Sequence, residues 1–321
     1  MVKKRVLYII FLCSITVLHY VDAKKTHIKK TVIITGTNQQ KSPAPTNTEN
    51  ISTAPITITI WIHGTTPSIA KLPINSIQQF FYTKQGIFDP RTLNPTTHRH
   101  QIGTTLTESP LFPAQHFYMF GWSGTLSFAA RQKAAEQLYA ELITLCDHYQ
   151  KTYSTTPRVR LITHSHGGNV ALNMATMTQR PTDPLAIDEL ILLACPVQDH
   201  TAQHINNPMF KQIYSLYSTK DFLQIIDPQQ LYSPTKTSSF FSRRRFTPHQ
   251  KIRQVKIQIN KRSISHIEFI LSRFVRMLPK VLSEIKTWAS DAWDDPSTEH
   301  TLRISTHNQK KRKFQSENPS V

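Results

Sequence analysis

Short β-rich apolar runs alternate along the chain with segments whose apolar residues recur at helical spacing. Ile56-Thr57-Ile58-Thr59-Ile60-Trp61-Ile62 alternates with period two and is dominated by β-branched residues, which predicts a strand. Further strands are predicted at 116–120, 158–162, 188–194, 210–217 and 254–259. Between them, Ala130, Ala134, Leu138, Leu142, Ile143 and Leu145 mark a long amphipathic helix over 126–149. A second helix is expected from Asn169 to about residue 178, a third over 267–278, and a short one within 69–82. Strands alternating with helices predict an α/β fold: a mostly parallel sheet with helices on both faces. Ligands of such sheets bind beyond the carboxyl ends of the strands.

The remaining segments have the opposite character. Residues 24–54 are polar and read as a flexible leading segment, and 290–321 as a basic disordered tail, leaving 55–289 as the folded domain. Two stretches, 83–113 and 227–250, read as irregular, lid-like insertions near the mouth of the cleft. At the start, Lys3-Lys4-Arg5, an apolar run over 6–18 and Val21-Asp22-Ala23 have the order of a secretory signal peptide, 1–23. Export to the periplasm or cell exterior is therefore expected, with an uncleaved membrane anchor as the alternative.

The chain has 321 residues and a net charge of +18. Removing residues 1–23 takes away three basic groups and one acid and leaves +16. Basic runs at Lys24-Lys25, Lys29-Lys30, Arg243-Arg244-Arg245, 251–262 and Lys310-Lys311-Arg312-Lys313 favour anionic partners. An anionic membrane surface or envelope polymer fits an exported chain better than nucleic acid. The sequence leaves the oligomeric state open. Cys146 and Cys195 remain after the leader and read as free thiols. Fifteen histidines form no ligand-spaced cluster, so no metal is expected.

Only eight glycines occur, and five of them (Gly64, Gly121, Gly124, Gly167, Gly168) fall directly after apolar runs. The most telling run is Leu161-Ile162-Thr163-His164-Ser165-His166-Gly167-Gly168-Asn169. A strand leads into a serine, small residues stand two before and two after it, and a helix follows. That is the layout of a sharp turn that lifts a serine hydroxyl into a cleft. A serine needs a histidine to take its proton and an acid to orient that histidine. His266, after the last predicted strand, is the candidate base, with His200 and His164 as fallbacks. Asp221, four residues past the 210–217 strand, is the candidate acid, with Asp199 as competitor and Asp227 third. Oxyanion donors are expected from the backbone N–H of His166 and from the His63-Gly64-Thr65-Thr66 loop, at Thr65 above all.

These residues resemble the α/β-hydrolase superfamily, in its lipase and esterase branch, over roughly 56–288. The resemblance lies in His63-Gly64, in the 164–168 turn, and in the order Ser165, Asp221, His266. Phe120-Gly121-Trp122-Ser123-Gly124 with Arg131 is similar to a structural motif of some lipase-like members. Thr163 departs from the glycine usual two residues before the serine. The resemblance implies acyl transfer through an acyl-serine, without a cofactor or metal. The expected function is hydrolysis of a carboxylic ester, expected to be lipid-like, by a secreted or envelope protein. Thioesters or amides are the alternatives within that chemistry. The alternative from another class is an inactive relative that binds an anionic envelope component or partner.

Overall fold

The computed structural model describes residues 27–33, 55–65, 83–178, 184–223, 245–288 and 299–305. Ten strands are described: β1 (His27–Ile33), β2 (Thr57–Ile62), β3 (Gly86–Phe88), β4 (Phe117–Gly121), β5 (Arg158–His164), β6 (Ile187–Leu193), β7 (Phe210–Tyr217), β8 (Ile252–Ile259), β9 (Arg262–Ser263) and β10 (Glu299–Ser305). They form one sheet in the order β1-β10-β8-β7-β6-β5-β2-β4-β3, with β9 paired to β8. Every pair on that path is parallel except β3 on β4, and the short β9 is antiparallel to β8. β5, which leads into Ser165, lies between β2 and β6 in the interior of the sheet.

The helices are α1 (His98–Thr107), α2 (Phe128–Tyr153), α3 (Gly167–Asn173), α4 (Asp199–Ala202) and α5 (Ser272–Lys286). Alternation along β2 assigns them to two faces. Ile58, Ile60 and Ile62 pack with Ala134, Leu138 and Leu142 of α2 and Val170 and Ala171 of α3. Trp61 faces the other way, into a cluster with Ile102 and Leu106 of α1 and Phe274, Leu278, Val281 and Ile285 of α5. The protein is thus an α/β fold with a mostly parallel sheet covered on both faces. α2 is capped by the Ser127 hydroxyl, which accepts from Ala130 N–H, and it ends at Ser154 in the left-handed region (φ +52°).

Three expectations need correction. The leading segment contains β1, and the basic tail contains β10, which lies between β8 and β1. Both strands alternate faintly. In β10 His300, Thr301, Leu302 and Ile304 are all buried. The 83–113 stretch is not an irregular lid. It folds as β3, a 3-10 turn at Pro90–Thr92, and α1, capped by the Thr97 hydroxyl and packed along β4. Its helix was hidden by a sequence, His98-Arg99-His100-Gln101-Ile102-Gly103-Thr104-Thr105, of low intrinsic helix propensity. Gly103 is required where α1 crosses the 3-10 turn, because a Cβ there would lie 2.6 Å from that of Pro90. Most of 227–250, including Asp227, lies outside the described residues, as do 1–26. No helix among the described residues is long and apolar enough to cross a membrane.

If β10 is integral to the sheet, Leu302→Ala should cost about 2–4 kcal/mol in urea unfolding, the usual loss for a fully buried leucine. A loss below about 0.5 kcal/mol, the range of surface substitutions, would place that segment outside the cooperative fold.

Candidate active site

Ser165 follows β5 and precedes α3 with φ +53°, in the left-handed region that a side chain occupies at a cost. Its N–H donates to Leu193 O at 2.9 Å and its C=O accepts from Gly168 N–H at 3.0 Å, so the turn is held on both sides. Neighbouring glycines make room for it. A Cβ at Gly167 would stand 2.6 Å from His63 O and 2.7 Å from Ile62 O, and one at Gly64 would stand 2.7 Å from Ser165 Cβ. The backbone of the loop after β2 therefore touches the serine turn directly. Thr163 is accommodated: its side chain is buried and its hydroxyl donates to Ile191 O across the β5–β6 pair.

His266 and Asp221 meet on the neighbouring strand ends. The His266 Nδ1 lies 2.8 Å from Asp221 Oδ2, with the carboxylate wholly buried and the imidazole 11% exposed. Asp221 is set by a tight turn after β7, its N–H donating to Ser218 O. The Thr219 and Ser263 hydroxyls, 2.8 Å apart, tie that turn to the β9 segment before His266. Ser265 N–H donates to the Glu268 carboxylate at 2.6 Å and fixes the turn around His266. From the other side, His164 Nε2 lies 3.2 Å from His266 O and the two rings are 4.7 Å apart. The residue before the serine thus anchors the backbone of the candidate base.

The loop after β2 is clasped by Trp122. Its indole N–H donates to His63 O at 2.8 Å, and its backbone N–H donates to His63 Nε2 at 3.2 Å, with the two rings stacked. Because Nε2 accepts, Nδ1 carries the proton and donates to Gly64 O at 2.7 Å. In a trans peptide the N–H opposes the C=O, so the Thr65 N–H is turned away from His63. The Thr65 hydroxyl is buried and has no hydrogen-bond partner among the described residues. His166 begins the turn into α3, and its Nδ1 accepts from the Asn169 amide at 3.4 Å.

Three buried imidazoles around the serine, those of His63, His164 and His166, are held neutral. Burial, followed by the nearby Arg99 charge, pushes His63 well below the usual range. Burial, then His266, does the same for His164, and burial, then Arg131, for His166.

The structure brings Ser165, His164, His266 and Asp221 to one sheet edge, with His63, Gly64 and Thr65 against the serine. Asp199 and His200 are exposed at the start of α4. Thr66 lies outside the described residues. Arg131 is buried and donates to the Gln198 side chain at 3.2 Å, a structural role as expected. Cys195 is buried, Cys146 is half-buried, and both are free thiols. Two contributors escaped the sequence reading: the His63 side chain, concealed in a dipeptide read for its glycine, and Arg99 on the unanticipated α1.

No family model matches the chain, and no curated protein matches it. Among solved structures, it is similar to an esterase from Pyrococcus furiosus (12% identity, 73% of this chain and 80% of that one, TM-score 0.37). It is also similar to carboxyl esterase 2 from the mycorrhizal fungus Tuber melanosporum (12% identity, 79% and 68%, TM-score 0.33). A hormone-sensitive lipase from a metagenome library is a third (14% identity, 78% and 68%, TM-score 0.31).

The buried neutral histidines make a prediction. Their folded pKa values lie below the unfolded 6.5, so unfolding takes up protons and stability falls as pH drops below that value. With His63, His164 and His166 contributing, the loss should approach about 1.4 kcal/mol per histidine per pH unit. Urea unfolding between about pH 7.5 and 5 measures it, and a flat profile would contradict neutral burial.

Proposed function

We propose that the protein is a serine hydrolase of carboxylic esters, with Ser165 as nucleophile, His266 as base and Asp221 as its orienting acid. The observation that carries this reading is the 2.8 Å Asp221–His266 pair, whose backbone is tied by His164 to the turn that bears Ser165. In the first half-reaction the Ser165 hydroxyl oxygen attacks the ester carbonyl carbon while its proton passes to His266 Nε2. Asp221 accepts from His266 Nδ1 and stabilises the imidazolium that forms. The tetrahedral oxyanion takes hydrogen bonds from the N–H groups of Thr65 and His166. Collapse breaks the bond to the alcohol, which leaves with the proton from Nε2, and the acyl group stays on Ser165. Water then enters by the same route, and the carboxylic acid departs. No cofactor takes part.

An apolar, lipid-like acyl ester is the substrate class we favour. Leu126, Phe128, Leu223, Ile267 and Leu271, each more than a third exposed, follow β4, β7 and β9, on the side of the sheet where Ser165 stands. Apolar exposure of that kind suits contact with an acyl chain. Export, with attraction to anionic surfaces through the basic runs, is part of the same proposal and rests on the leader sequence and the charge.

Hydrolysis of a short 4-nitrophenyl ester tests the assignment. Ser165→Ala and His266→Ala should each reduce turnover by at least about a thousandfold. Asp221→Asn should cost about 10²–10⁴-fold. Asp199→Asn should leave turnover close to wild type. A reversal between the two aspartates would move the acid to Asp199. Wild-type turnover by folded Ser165→Ala would remove the hydrolase reading.

A further inference from the structure

The inner face of α1 carries a charge where core is expected. Arg99, Ile102, Gly103 and Leu106 share that face at helical spacing, and Ile102 and Leu106 belong to the apolar cluster. Arg99 is 5% exposed. Its position in the sheet layer follows from its helix. Gly103 lies against Met119 in mid-β4, and the chain leaving α1 enters the start of β4. The first turn of α1 therefore lies toward the carboxyl edge of the sheet, where Ser165 stands. His98, beside Arg99, bonds through Nε2 to Ile270 O, four residues past His266. The Arg99 charge also reaches His63, whose neighbour Gly64 touches Ser165.

Nothing described balances this charge. Among the described residues, the buried Arg99 Nε has no hydrogen-bond partner and no carboxylate pairs with the side chain. The acids nearest in sequence are taken: Asp89 binds Arg91, and Glu108 pairs with Arg276. The segment 66–82, which joins β2 to β3, contains no Asp or Glu. The nearby imidazoles of His63 and His98 are held toward neutrality by burial. Burial draws Arg99 itself down to about 10, which still leaves it charged at neutral pH. An unpaired buried cation is strongly destabilising. A planar guanidinium with donors to spare is also suited to carboxylate and phosphate.

We infer that Arg99 receives an oxyanion carried by the substrate, a carboxylate or a phosphate lying close to the scissile ester. The inference rests on the hydrolase reading above and adds to it a substrate class, esters bearing a negative group. It differs from attraction to the exposed basic runs, because the recognising group is interior and specific.

The test compares 4-nitrophenyl hemisuccinate with its neutral methyl-capped counterpart, using the full chain. Wild type should favour the charged ester in kcat/KM by about tenfold or more. In Arg99→Gln that preference should vanish or invert, and Arg99→Lys should restore part of it. Equal kcat/KM for the two esters in wild type, or a preference unchanged in Arg99→Gln, would overturn the inference. Should Arg99→Gln fail to fold, a second measurement decides. Inorganic phosphate or acetate should raise the Tm of wild type above that in chloride at matched ionic strength, and no rise with either would overturn the role. A rise with phosphate alone assigns a phosphate group, and a rise with acetate alone a carboxylate. Turnover of the neutral ester, lost or kept in Ser165→Ala, reports separately on the hydrolase reading.

Discussion

The site depends on one constrained backbone position. Ser165 occupies the left-handed region because β5 ends against β2 with no room for a gentler exit. The loop after β2 lies so close that side chains at Gly64 and Gly167 would collide with it or with the serine. Such strain costs about 1–3 kcal/mol and persists only where the surroundings over-determine it. Here the sheet hydrogen bonds, the two glycines and the clasp of Trp122 on His63 supply that surrounding. The same contacts that force the serine out of the strand fix the peptide between Gly64 and Thr65 beside it.

Around that turn, the polar groups form a connected set. His164 reaches the backbone of His266, His266 meets Asp221, and Asp221 is seated by the turn after β7. These residues stand at the ends of β5, β7 and β9, so the sheet brings three distant sequence positions into one cluster. Burial keeps His63, His164 and His166 neutral, so they serve as fixed hydrogen-bonding groups. Buried networks of this kind hold their geometry because every member is costly to leave unpaired.

Much of this was legible in the sequence, for identifiable reasons. The β-branched alternation of 56–62 and the apolar heptad-like spacing of 126–149 declare their elements because packing against a sheet demands those patterns. The proximity of His266 to Asp221 followed from their places after successive strands of a parallel sheet. What escaped had no local signal. The sequences of β1 and β10 are rich in lysine, arginine, histidine and threonine and read as polar tails, and only their pairing with one another and with β8 reveals them as strands. α1 is built from poor helix formers and is held by the cap at Thr97 and by packing against β4 and α5. In the sequence Arg99 is one basic residue within the irregular-looking 83–113 stretch, and only the helix shows that it points inward. The side-chain role of His63 depends on Trp122, 59 residues away, and no sequence window contains both.

If the fold activates Ser165, a fluorophosphonate adduct mapped by mass spectrometry will report it. The native chain should take up one adduct, on the peptide carrying Ser165, and the urea-unfolded chain none. Labelling of a different serine, or equal labelling of Ser165 in the unfolded chain, would contradict it.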